Sequence, residues 1–279
     1  MKVRQSTLGD ADKCLRAMQY SIEGTVYHGG VGRAIGTAYH KALELSYRNL
    51  IDNGMHLDPR MSVINAHEEF DRLVEMAPSH ESEFSKTAGE FKWDDKFPDA
   101  DSAKAVLSTI VPAYFEGDGV WPEEWTILDV EQSFSLPFFG DNTRNGSIDL
   151  VGVDPDGYVF GDDHKTAGKA WPYNKHHARK SNQAPFYVRA LQELYPDAVG
   201  YRFFYSIMTL GGKFDRREVR VDRAHIDAVD SKAVQVVTLY QGMRAGGLDL
   251  PANPASTLCS PKYCDHWDIC PYGAVLDVQ

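Results

Sequence analysis

Apolar positions recur at helical intervals through the first part of the chain and alternate through the middle, so a helical block is predicted to precede a sheet. The first short helix is expected from Asp10 to Ile22 and carries Cys14, Arg16 and Tyr20. Gly29-Gly30 interrupts it, and Ile35, Ala38, Ala42 and Leu45 then share one face of a longer helix from Val31 to Asn53. Met61–Met76 and Ser102–Phe115 read as two more helices around a polar, proline-containing stretch, with Pro112 expected to disturb the end of the second. Trp125–Phe139 then turns β-branched and aromatic and stops at Asp141-Asn142. Asn145–Val153 and Tyr158–Lys165 read as strands joined by the turn Asp154-Pro155-Asp156-Gly157. A helix from Ser181 to Leu194 ends near Pro196, Gly200–Leu210 and Lys213–Val221 form a hairpin through Gly211-Gly212, and Arg223–Arg244 is helical. The tail from Gly246, with Pro251, Pro254 and Pro261, reads as loop, and no internal repeat is present.

Composition changes this picture little. A chain of 279 residues with 43% hydrophobic and 25% charged positions is ordinary for a globular protein. No apolar run is long enough to span a bilayer, and Met1-Lys2-Val3-Arg4-Gln5 does not resemble a secretory signal, so a cytoplasmic location without membrane contact is expected. The net charge of −11 argues against nucleic-acid binding through bulk charge and leaves a local basic groove as the route. It also suits a centre that gathers carboxylates around a divalent cation.

The chemistry concentrates between Gly146 and Lys165. Asp149 stands in an otherwise apolar strand, where an unpaired carboxylate is costly to bury. In the next strand a period of two puts Asp163 and Lys165 on one face, with Asp162 and His164 on the other. A hairpin would bring Asp149 beside that strand end. Two carboxylates and an ammonium then meet the needs of phosphodiester cleavage: carboxylates hold a divalent ion that activates water, and the lysine orients the water and stabilises the transition state. Taken alone, an Asp-x-Lys is more often a solvated ion pair. Glu131 could add an acidic group at the edge of this site but reads rather as a solvated strand position, and Glu44, one helical turn after His40, reads as a partner for the imidazole. Between the last of these strands and the following helix, Lys169, Lys175, His176, His177, Arg179 and Lys180 with Trp171 and Tyr173 form a basic, aromatic loop suited to phosphates and bases.

The order Gly36-Thr37-Ala38-Tyr39-His40, Gly146-Ser147-Ile148-Asp149, Asp163-His164-Lys165-Thr166 and Gln183-Ala184-Pro185-Phe186-Tyr187 resembles the PD-(D/E)XK nuclease superfamily. Within it the RecB-like branch is the most similar, including its iron–sulfur members: CRISPR-associated adaptation nucleases, the AddB subunit of bacterial recombination nucleases and phage relatives. The resemblance runs from Cys14 to Cys270 and implies an α/β fold, a central mixed sheet flanked by helices. It implies a single nuclease domain over 1–279 with a helical insertion at 54–120. It implies an Mg²⁺- or Mn²⁺-dependent DNA exonuclease, with His40, Asp149 and Asp163 as metal ligands, the His164 carbonyl completing the shell and Lys165 catalytic. Gln183 and Tyr187, on one helix face, would line the site. DNA is the implied partner; a recombinase, helicase or annealing protein would be a separate chain, since no helicase motif is present, and an oligomer is compatible with the sequence.

Cys259, Cys264 and Cys270 crowd one C-terminal stretch, and Cys14 would add a fourth thiolate. The resemblance implies a 4Fe-4S cluster, stapling 246–279 to Cys14. Four residues separate Cys259 from Cys264, where the iron–sulfur members have two, and this keeps Zn²⁺ open as the alternative. A different class, a DNA-binding or zinc-stapled assembly module without catalysis, would carry the same cysteines. Brown colour and nuclease assays on Lys165→Ala and Asp149→Ala would separate the classes.

Overall fold

Two hydrophobic cores lie on opposite faces of one sheet. The computed structural model describes residues 1–24, 30–76, 91–169, 181–260, 264 and 266–276. Gly29, Pro261 and the loop residues Trp171, Tyr173, Lys175, His176, His177, Arg179 and Lys180 lie outside the described residues. The chain opens with β1 (Lys2–Val3), α1 (Gln5–Lys13) and α2 (Leu15–Glu23), followed by α3 (Val31–Asn53), α4 (Pro59–Met76) and α5 (Ala100–Glu116). Then come β2 (Thr126–Pro137), β3 (Thr143–Val153), β4 (Tyr158–Ala167), α6 (Gln183–Leu194), β5 (Gly200–Thr209), β6 (Phe214–Glu218) and α7 (Arg223–Arg244). A 3₁₀ turn (Trp267–Ile269) and α8 (Pro271–Leu276) end the described chain.

Local chemistry sets several of these boundaries. Asp99 and Asp222 accept backbone N–H bonds from Ser102 and His225 at the starts of α5 and α7. Gly54, at a φ of 75°, closes α3 in the left-handed region. The single helix expected over Asp10–Ile22 is two helices, because Cys14 is extended between them at φ −166° and ψ 124°. Pro112 lies inside α5 rather than at its end. The C-terminal tail also departs from the loop expectation through its 3₁₀ turn and α8.

The sheet is mixed, as expected for this α/β architecture. β3 pairs antiparallel with β2 and β4, β4 runs parallel to β5, and β5 and β6 form the hairpin expected through Gly211-Gly212. β1 runs parallel to β3 at Thr143 and Arg144. α6 packs on one face with α1 and α7, around Ile148, Phe203, Tyr205 and Ile207. α3, α4 and α5 cover the other face over Val130, Leu150, Phe160 and Met208. The β3–β4 pairing extends only from Leu150↔Asp162 to Val153↔Val159. Beyond it the two strands part, and the fork they leave is where the polar side chains meet.

Candidate active site

Register places three carboxylates in one row across the fork. The pairs Val130↔Leu150 and Gln132↔Ile148 set Glu131 opposite Asp149, and Leu150↔Asp162 sets Asp149 opposite Asp163. Strand alternation breaks along this row: Ile148 packs into the core under α6, whereas Leu150, two residues on, packs under α3. Glu131 takes up the same change of phase in β2 with a φ of 51°, the only positive φ outside glycine among the described residues. Such a backbone costs about 1–3 kcal/mol and persists where neighbouring structure enforces it.

His40 reaches this row from α3. A Cβ at Gly36 would stand 3.2 Å from Thr166 Oγ1, so a bare backbone lets the helix lie close to the end of β4. Gly146 likewise leaves room for the rings of Phe134 and Tyr187, which a Cβ would meet at 2.7 and 3.2 Å. The glycines of both motifs thus answer to close packing. His40 Nδ1 lies 3.3 Å from Asp149 Oδ2, and the His40 ring is hydrogen-bonded to the His164 backbone. The His164 N–H donates to Asp149 Oδ2 at 2.7 Å, so the carboxylate sits between the parted strands.

Asp163 and Lys165 share a face as alternation requires, with Lys165 Nζ 2.5 Å from Asp163 Oδ2. Gln183 Nε2 donates to Asp163 Oδ1 at 2.6 Å, which engages both oxygens of that carboxylate. Tyr187, one turn along α6, is buried edge-on against Phe134. Behind the strand, His164 Nε2 lies 3.4 Å from the Tyr114 hydroxyl, and Asp162 accepts from Trp121 Nε1 and Ser206 Oγ. Asp162 is fully buried there and faces away from the fork.

Glu131 is the residue that sequence reasoning underrated. Among the described residues, the group whose ligand atoms all come within 4.8 Å of one another is His40, Glu131 and Asp149. Glu131 is half-buried, and Ser147 Oγ donates to its Oε2 at 2.9 Å. Its hairpin register opposite Asp149 was the available signal. Glu44 does not orient the imidazole as expected: it pairs with Lys41 at 2.8 Å and Arg48 at 3.8 Å.

Electrostatics favours a cation here. Burial raises the Asp149 pKa well above the usual carboxylate range, and Asp163 and Glu131 add to the rise. Burial raises Glu131 as well. Burial pulls His40 down to about 4, leaving at neutral pH the uncharged imidazole that ligates metals. For Lys165 burial works the other way, but Asp163 and Asp149 outweigh it and keep the ammonium charged. The donor set of one imidazole and two carboxylates fits Mg²⁺ or Mn²⁺, with the nitrogen tilting preference toward Mn²⁺.

A sequence model of the PD-(D/E)XK nuclease superfamily matches residues 6–271. The chain belongs to that superfamily. Among curated proteins no sequence matches it. Two crystal structures are similar. One is a protein designated SSO0001, at 14% identity over 97% of this chain and 85% of the other, with a TM-score of 0.38. The second is described as a "putative exonuclease" from Eubacterium rectale, at 11% identity over 83% of this chain and 86% of the other, with a TM-score of 0.41.

Beside the PD-(D/E)XK core, all four cysteines line a single cavity of about 530 Å³ between the α1–α2 joint and the C-terminal segment. The Asn253 N–H donates to Cys14 Sγ at 3.3 Å and Asn253 Nδ2 donates to the Lys13 carbonyl at 3.1 Å. Arg16 pairs with Asp249 at 2.7 Å. None of the four is in a disulfide. Burial raises the Cys259 thiol, with Cys14 and Cys270 adding to it, and Cys264 rises by burial and by repulsion from the other three. The two raised thiols, Cys259 and Cys264, belong to a set that a bound metal centre would relieve. No helix among the described residues is long and apolar enough to cross a membrane.

Glu131→Gln is expected to weaken Mn²⁺ binding by about 10- to 100-fold while leaving the fold and some activity, as loss of a supporting ligand does; isothermal titration against Mn²⁺ checks it. Metal affinity should also fall as the pH is lowered from 8 to 5, because bound metal competes with the proton that a raised Asp149 pKa retains. A flat affinity over that range would contradict the raised value.

Proposed function

We propose that this superfamily member is a divalent-metal-dependent DNA exonuclease of the RecB-like branch, serving recombination, repair or the processing of phage or CRISPR-associated DNA. The observation that carries the reading is the meeting of His40, Asp149, Asp163 and Lys165 at the β3–β4 fork. His40, Asp149 and Asp163, with the His164 carbonyl, would hold the ion, and the geometry supports adding Glu131. A bound Mg²⁺ or Mn²⁺ supplies Lewis acidity and a water of lowered pKa at the scissile phosphate. Lys165 sits as an ammonium beside Asp163, placed to orient the attacking water and to neutralise charge that develops on phosphorus oxygens. Gln183 fixes Asp163 by holding its second oxygen. Tyr187 closes the α6 side of the site against water.

The cysteine cavity is proposed to hold a 4Fe-4S cluster. Four thiolates from the two ends of the chain around one cavity support a metal centre, and Zn²⁺ is the alternative occupant of the same ligands. Cys14, Cys259, Cys264 and Cys270 would be its ligands and would tie 246–279 to the start of the chain as one nuclease domain, with 54–120 as its helical insertion. The test of the enzyme reading is digestion of end-labelled linear and closed circular DNA with Mn²⁺, with chelator, and with Lys165→Ala. Metal-dependent loss of the linear substrate alone, absent in the variant, is expected. Binding without cleavage by the wild-type chain would move the protein to the non-catalytic class.

A further inference from the structure

A cavity of about 430 Å³ opens beside the His40–Glu131–Asp149 group. α3 contributes Lys41 and Glu44 to it, α4 contributes Glu69 and Arg72, and His40 and Glu131 form the end that meets the candidate metal group. Each of these two cations is already paired. Lys41 lies 2.8 Å from Glu44, and Arg72 grips both oxygens of Glu69 at 2.6 and 2.7 Å. The carboxylates are the less exposed partners: Glu69 and Glu44 are 12% and 20% exposed, against 50% for Arg72 and 37% for Lys41. Acids therefore form the floor and bases the rim.

A phosphate entering this cavity would give up water for cations whose charge is cancelled, and would face the Glu131 carboxylate as well. An uncharged sugar and base would meet no such penalty. Carboxylates accept hydrogen bonds from hydroxyls and exocyclic amines, so the lining suits a nucleoside. The cavity also shares His40 and Glu131 with the group proposed to hold the ion.

We propose, resting on the nuclease reading above, that this cavity receives the terminal nucleoside of the strand being cut and selects an end carrying a hydroxyl over one carrying a phosphate. The same charges give a physical basis for end dependence. A strand that continued through the cavity would have to carry a further phosphate past Glu44 and Glu69, whereas a strand that ends there does not.

The experiment uses the full chain with Mn²⁺ on linear duplexes whose 5′ and 3′ ends carry either hydroxyl or phosphate. At whichever end is attacked, the hydroxyl form should be cut about tenfold faster. Glu44→Gln and Glu69→Gln keep the size of the side chain and release Lys41 or Arg72. Each should bring the phosphorylated end to within about threefold of the hydroxyl end and raise nicking of closed circular DNA. Equal or faster cutting of phosphorylated ends by the wild type overturns the proposal, as does a ratio that neither variant moves. Binding of the same oligonucleotides to Lys165→Ala in Ca²⁺, followed by fluorescence anisotropy, should show the same preference without turnover. Absence of cleavage of every substrate would remove the nuclease reading, and this proposal with it; cleavage with a reversed preference removes this proposal alone.

Discussion

Asp149→Asn is expected to stabilise the metal-free protein while abolishing cleavage. Asp149 stands at the fork between Glu131 and Asp163, with its pKa raised by burial and by those two carboxylates. A group whose folded-state pKa lies above its unfolded value stabilises the fold at low pH, and that contribution is lost as the pH rises through the folded value. The metal-free protein should therefore lose stability from the ordinary aspartate range upward, and neutral pH lies on the unfavourable side. Asparagine has no charge to lose, so the variant should gain about 1–2 kcal/mol at pH 8, a rise of several degrees in Tm. Mn²⁺ should raise the Tm of the wild type and leave that of the variant nearly unchanged. Cleavage should fall at least ~10³-fold, as removal of a principal charge-stabilising group does. Thermal melts with and without Mn²⁺ read both signs; a variant less stable than the metal-free wild type at pH 8 would contradict the electrostatic account. The trade of stability for a charged site is a common one in enzymes.

The second large effect is expected at the cysteines. Cys270 is buried, and its thiol adds to the repulsion that raises Cys259 and Cys264. If the four thiols hold a metal centre, its binding energy is folding energy, because the unfolded chain does not preserve the site. Cys270→Ser should therefore lower stability by about 3 kcal/mol or more, on the order of 10 °C in Tm, and should remove brown colour along with iron. Its effect on chemistry at the fork should be secondary and follow the loss of fold. A colourless wild-type protein whose stability matches that of the variant would contradict the cluster. Zinc in place of iron on metal analysis would keep the staple and change its chemistry.

Much of the site was legible because its residues obey short-range rules. Alternation alone put Asp163 and Lys165 together and His164 behind them, and the structure pairs the first two at 2.5 Å. The helix that carries His40 was readable from the apolar face formed by Ile35, Ala38, Ala42 and Leu45. Gln183 came from the resemblance rather than from periodicity, and it meets Asp163. Glu131 was not legible in this way. Its position reads as solvated if β2 alternates regularly, but the strand changes phase at that residue, and the change depends on a β3 that has itself lost alternation at Asp149. The break at Cys14 was hidden because helical periodicity runs on across it, while the backbone there is extended and its sulfur faces Asn253. β1 is two residues long and carries no periodic signal; it exists because β3 offers Thr143 and Arg144 an open edge.

Direct coordination at the fork is the claim on which the other expectations turn. Electron spin-echo envelope modulation on the Mn²⁺-loaded protein reports a histidine nitrogen bound to the ion. A nitrogen coupling in the wild type that disappears in His40→Ala, with Mn²⁺ still bound at higher concentration, is the predicted result. A wild-type spectrum without nitrogen coupling, or one that His40→Ala leaves unchanged, would place the ion elsewhere and contradict the assignment of the site.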